Sequence, residues 1–118
     1  MTIVAYDKWT IREYTTSALE FTLKADGDPI DLSGVNHVVM HMVDNLNQAY
    51  VYSSAEIIPA VYITDAVHGK VAFTPPNDKI FLYRRSPYML YFKVWDTAFS
   101  CYAVTEATSF ELEILKEY

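Results

Sequence analysis

Apolar and polar residues alternate with period two over several short stretches of this chain, the spacing that sends successive side chains to opposite faces of a β-strand. Over residues 19–25, Leu19, Phe21 and Leu23 alternate with Glu20, Thr22 and Lys24, which predicts a half-buried strand. Residues 110–114 repeat the pattern, with Phe110, Leu112 and Ile114 inward and Glu111 and Glu113 outward. In 38–43 we assign Val38, Met40 and Met42 to the core, which leaves His37 and His41 on the other side; in 70–74 the inward pair is Val71 and Phe73. Residues 88–96 are apolar on both faces apart from Lys93, as expected of a central strand. Residues 102–104 are placed beside it across a turn at 97–100. Shorter strands are expected at 49–53, after a turn at 45–48, and from 61 to 64.

The punctuation fits a β protein. Asp26-Gly27 tolerates positive φ, and Pro29 removes a backbone donor, so the chain turns there. Pro75-Pro76-Asn77-Asp78 stops the strand before it, and 65–69 reads as a loop. Two stretches stay open: 54–60, closed by Pro59, and 79–83, either one helical turn or an edge strand. About seven to eight short strands, turn signals every ~8–12 residues and no amphipathic helix predict an all-β antiparallel sandwich. Residues 1–16 have weak strand character and are expected to be an N-terminal arm or edge strand, with the sandwich domain over 17–118.

Composition narrows the function. At 118 residues and 52% hydrophobic, the chain has the length of one domain with its own core. A net charge of −6 argues against a partner whose phosphates need a clustered basic face, so no nucleic acid is expected. Cys101 is the only cysteine, which excludes an intrachain disulfide and is compatible with assembly in a reducing cytosol. No apolar run approaches the ~18 residues of a spanning helix, so no membrane partner is expected. Residues 1–8 lack a basic segment followed by an apolar one, so they are not read as a secretory leader.

Candidate chemistry is sparse. Asp26, Asp28 and Asp31 invite a calcium-loop reading, but Gly27 falls between the first two acids, Ile30 replaces a ligand and no Glu closes a twelve-residue loop. They are read as turn residues. His37 and His41 would share a helix face, yet in a strand they stand about 13 Å apart, too far to share a metal. No nucleophile elbow, phosphate-binding glycine loop, Cys-x-x-Cys or His-Glu-x-x-His occurs. The expectation is therefore a protein that is not an enzyme and holds no metal or cofactor.

Aromatic residues give the candidate sites. Met89, Tyr91 and Trp95 share the face opposite Leu90 and Phe92, an apolar set that either meets another protein or packs beneath a loop. Arg84-Arg85, beside Tyr83 and Tyr88, suits an acidic surface or a sugar, against a solvated loop before Pro87. Trp9 and Tyr14, with Tyr6, would add aromatic contact area from the N-terminal segment.

The order of the blocks carries a resemblance. Phe21-Thr22-Leu23-Lys24-Ala25-Asp26-Gly27-Asp28-Pro29-Ile30-Asp31-Leu32-Ser33-Gly34 comes first, followed by Met40-His41-Met42-Val43-Asp44. Next are Asp65 with Gly69-Lys70-Val71, then Tyr88-Met89-Leu90-Tyr91-Phe92-Lys93-Val94, and last Phe110-Glu111-Leu112-Glu113-Ile114. Over residues 17–115 this resembles the N-terminal Ig-like domain of BppU-type upper baseplate proteins of tailed bacteriophages. The resemblance implies an Ig-like β-sandwich and a non-enzymatic virion structural protein, assembled in the bacterial host cytoplasm. Its implied partners are copies of itself, as a homo-oligomer, and neighbouring phage proteins. It transfers no catalytic residue. In the upper baseplate protein, further chain carrying the receptor-binding part follows the domain, whereas this sequence ends at Tyr118; residues 45–60 are also longer and more irregular than the family pattern. Baseplate, tail, neck and capsid decoration are all compatible positions. The alternative is a carbohydrate-binding or host-adhesion module that uses loop tyrosines and Arg84.

Overall fold

The computed structural model describes residues 7–25, 28–96, 101–103 and 110–116. These form β1 (Asp7–Arg12), β2 (Leu19–Thr22), β3 (Lys24–Ala25), β4 (Asp28–Pro29), β5 (Val35–Val43), β6 (Ala49–Ser53), β7 (Val61–Asp65), β8 (Lys70–Phe73), β9 (Tyr88–Asp96), β10 (Cys101–Ala103) and β11 (Phe110–Leu115). Among the described residues there is no α-helix, only a 3₁₀ turn at Tyr83–Arg85. The larger sheet has the order β1-β11-β9-β5-β6, with β10 also paired to β9, and the smaller one is β2-β8-β7. All these pairings are antiparallel except β1 with β11. The two sheets face each other across one core, so the expected β-sandwich is the observed fold.

Alternation decides which side chains fill that core. Val38, Met40 and Met42 from β5, Leu90, Phe92 and Val94 from β9, and Leu112 from β11 are completely buried against Phe21, Val71 and Phe73 of the smaller sheet. Phe21 meets Phe110 edge-on at 4.8 Å and Phe92 at 5.4 Å, ring geometries that add ~0.5–1.5 kcal/mol each beyond area burial. Trp9 stacks on Phe21 at 4.8 Å, and with Ile11 it ties β1 to the core as well as to β11.

At the start of β9, Tyr88 is fully buried, and its hydroxyl donates to the Ile80 carbonyl at 2.8 Å while accepting the Leu82 N–H at 2.9 Å. The arrangement is similar to the tyrosine corner of Ig-like sandwiches, a hydroxyl bonded back to backbone a few residues upstream. Residues 79–82 are accordingly neither strand nor helix: the Ile80 carbonyl and Leu82 N–H are held by a side chain instead of a ladder, and the 3₁₀ turn begins at Tyr83.

The expected strand over 19–25 is interrupted. Leu23 leaves the smaller sheet to donate its N–H to Gly69 O at 2.8 Å, while its carbonyl accepts the Ile30 N–H at 2.9 Å. Beyond it, β3 and β4 pair Lys24 with Pro29 and Ala25 with Asp28; the Asp26-Gly27 turn between them lies outside the described residues. This split, together with β4 and β1, accounts for more strands than the seven to eight expected.

Candidate interaction face

The residues of the larger sheet that point away from the core form one continuous face. Strand register sets Val51, His41 and Tyr91 in one row. The next row is Ala49, Val43, Met89 and Glu111, and a third is Ser53, Val39 and Lys93. At the end of β9, Trp95 stands opposite His37 with the two rings stacked at 5.7 Å. Val51 is 57% and Tyr91 39% exposed, while Val39, Val43, Met89 and Trp95 are half-buried. Burial, and secondarily the charge of Lys93, hold the His41 imidazole below its ordinary pKa. The face is therefore largely apolar, with the charge of Lys93 on its central strand between Tyr91 and Trp95 and that of Glu111 beside Met89.

Met89, Tyr91 and Trp95, expected to share a face, do so. The other four candidates lie elsewhere. Tyr14, at φ 66°, has the Lys79 ammonium 5.9 Å from its ring centroid. It lines a shallow groove with Tyr83 and Arg84, and the groove continues around Tyr83 past Pro87. Tyr14 and Tyr83 are 45% and 52% exposed. Trp9, by contrast, points into the sandwich and is part of its packing.

Arg85 is also used internally. Its guanidinium donates to Asp44 Oδ2 at 2.8 Å and to Gln48 Oε1 at 2.9 Å. The Asp44 carboxylate, fully buried, further accepts the N–H groups of Leu46 (2.9 Å) and Gln48 (3.0 Å) and the Tyr50 hydroxyl (3.1 Å). Burial alone would raise the Asp44 pKa, but the bonds from Arg85, Gln48, Tyr50 and Leu46 outweigh it and hold the group below its ordinary value. Burial and the adjacent carboxylate push Tyr50 up to about 12. This knot fastens the β5–β6 turn to the 3₁₀ turn. Sequence reading missed it, although an Asp opening an Asn-rich turn is a recognisable signal for a side chain that caps backbone N–H groups.

Of the metal candidates, Asp31 takes a turn role, and His37 and His41 lie on β5. Asp31 accepts both the backbone N–H and the hydroxyl of Ser33, and these bonds lower its pKa. Among the described residues no group of three or more His, Cys, Asp or Glu is placed to hold a metal ion, and no helix is long and apolar enough to cross a membrane. The side chains of Asp26 and Cys101 lie outside the described residues. Compared with known proteins, the chain matches no family model, and no curated protein matches it.

Proposed function

We propose that this chain is a non-enzymatic structural protein of a tailed-bacteriophage virion, in the baseplate, tail, neck or capsid decoration, that docks on neighbouring virion proteins through its outer sheet face. The observation that carries the reading is the row Val51–His41–Tyr91, flanked by Val39, Val43 and Met89, on the outward side of the larger sheet. The ordered blocks that resemble upper baseplate Ig-like domains supply the biological setting. A rigid sandwich presents such a face at little conformational cost, and a standard interface of ~1,600 Å² in total needs only one such patch from each partner. A second reading, a carbohydrate-binding or host-adhesion module, draws on the groove where exposed Tyr14 and Tyr83 meet Arg84.

One pair of variants separates the two. Tyr91→Asp is expected to fold normally but to enter purified particles at least ~10-fold less well, as removal of a central aromatic anchor would cause, whereas Arg84→Ala should enter normally. Normal incorporation of Tyr91→Asp, together with glycan-array binding that Arg84→Ala abolishes, would favour the adhesion reading.

A further inference from the structure

We propose that two copies of this chain pair edge to edge through β6, antiparallel about a twofold axis at Val51, so that their larger sheets become one. The register of β5 with β6 fixes which backbone groups are free. Asp44 N–H bonds Gln48 O and Ser54 N–H bonds Val38 O, so by antiparallel alternation Tyr50 and Tyr52 also bond β5 while Ala49 and Val51 turn their N–H and C=O groups outward. Among the described residues no strand lies on that side of β6.

The β1, β2 and β7 edges carry features that discourage pairing, whereas on β6 only the Glu56 carboxylate, at its end, occupies an outward N–H, that of Ser53. Arg12 stands on the β1 edge. Glu20 stands on β2, and β7 is irregular between Ile63 and Asp65. Ala49–Ser53 contains no charge, no proline and no register shift. For two copies that each carry −6, a strand without charged residues of its own is where close approach meets less repulsion.

Exposed apolar side chains mark the same edge. Of the five large aliphatic residues more than half exposed among the described ones, four lie on or beside β6: Leu46 at 63%, Val51 at 57%, Ile57 at 100% and Ile58 at 88%. Leu46 sits in the turn before the strand, and Ile57 and Ile58 in the segment after it. An antiparallel twofold brings the Leu46 end of each copy alongside the Ile57–Ile58 end of the other, an isologous contact that closes on itself. The two Val51 residues exchange N–H···O bonds at the centre. The Glu56 carboxylate already holds the Ser53 N–H at 3.0 Å, which keeps the new ladder short and leaves the apolar ends to supply much of the contact.

This contact is made through the backbone at the rim of the sheet and shares only β6 with the proposed docking face. Sedimentation of the full chain should show a mass approaching twice 13.6 kDa at about 100 µM, with a micromolar dissociation constant and a Val51 amide protected from hydrogen exchange. Val51→Lys, and separately the double variant Ile57→Glu with Ile58→Glu, should each weaken association more than ~10-fold, and in the double variant the Val51 amide should lose its protection. Tyr91→Asp should leave the dimer unchanged. A wild-type monomer at that concentration, an open-ended series of larger species, a dimer that survives either edge variant, or an unprotected Val51 amide in the wild-type dimer would each overturn the proposal. None of these results bears on whether the chain belongs to a virion.

Discussion

Replacing Gly69 with alanine should lower the unfolding free energy by about 3 kcal/mol or more, enough to consume much of a small domain's stability. Gly69 has φ +68°, the left-handed region that costs a side-chain-bearing residue ~1–3 kcal/mol. A Cβ there would lie 2.7 Å from both the Leu23 and Ile30 carbonyl oxygens and 3.0 Å from the Ile30 nitrogen. These are backbone atoms, so no side chain can rotate away to make room. The same residue accepts the Leu23 N–H at 2.8 Å, Leu23 in turn accepts the Ile30 N–H at 2.9 Å, and Leu32 N–H reaches Ala66 O at 2.7 Å. A shift that relieves the clash would pull apart the junction where the chain leaves the smaller sheet. Gly34→Ala is the control. A Cβ at Gly34 meets nothing within 4 Å, so that change should stay within ~0.5 kcal/mol of wild type. Urea unfolding of the two variants reads the difference directly.

Asp44→Ala should cost about 3 kcal/mol, because it leaves two backbone N–H groups, the Tyr50 hydroxyl and the Arg85 guanidinium without the buried acceptor they share. The same carboxylate makes stability depend on pH. Its folded pKa lies below the ordinary 3.8, so its contribution is fully present above that value and is lost as the pH falls through the lower, folded one. Asp31 and Asp65 are also lowered, by hydrogen bonds with Ser33 and His68 respectively, and act in the same direction. Stability should therefore be level with respect to these groups near neutrality and fall steeply below pH 3.8. In Asp44→Asn the fall should be shallower, since of the carboxylates with a lowered pKa among the described residues only Asp31 and Asp65 remain. Urea midpoints measured from pH 7 down to about pH 3 check both the sign and the change in slope.

What the sequence discloses about this fold depends on how local the cause is. The alternation that buries Phe110, Leu112 and Ile114, and likewise Val38, Met40 and Met42, is set by neighbours two residues apart and is readable in a single strand. In sequence Trp9 reads only as aromatic contact area on an N-terminal arm or edge strand, because its inward direction comes from parallel pairing with β11, at the far end of the chain. The break at Leu23 was hidden for the same reason: its partner Gly69 belongs to a distant turn.

The candidate sites divide along the same line. That Met89, Tyr91 and Trp95 share a face follows from period two, but their neighbours Val51 and His41 follow only from strand register. Arg84 and Arg85 are indistinguishable in sequence. The 3₁₀ turn rotates them about 120° apart, leaving one exposed in the groove and directing the other to Asp44, forty-one residues away.

The central claim, that the outer sheet face is covered by another virion protein, is tested most directly by lysine labelling of intact purified particles and of the free chain. Lys93 stands on that face, whereas Lys24 and Lys70 lie away from it on β3 and β8. The account predicts that the chain is present in the particles, with Lys93 shielded there relative to the free chain and Lys24 and Lys70 labelled alike in both. Absence of the chain from particles, or labelling of Lys93 as fast in the particle as in solution, would contradict it.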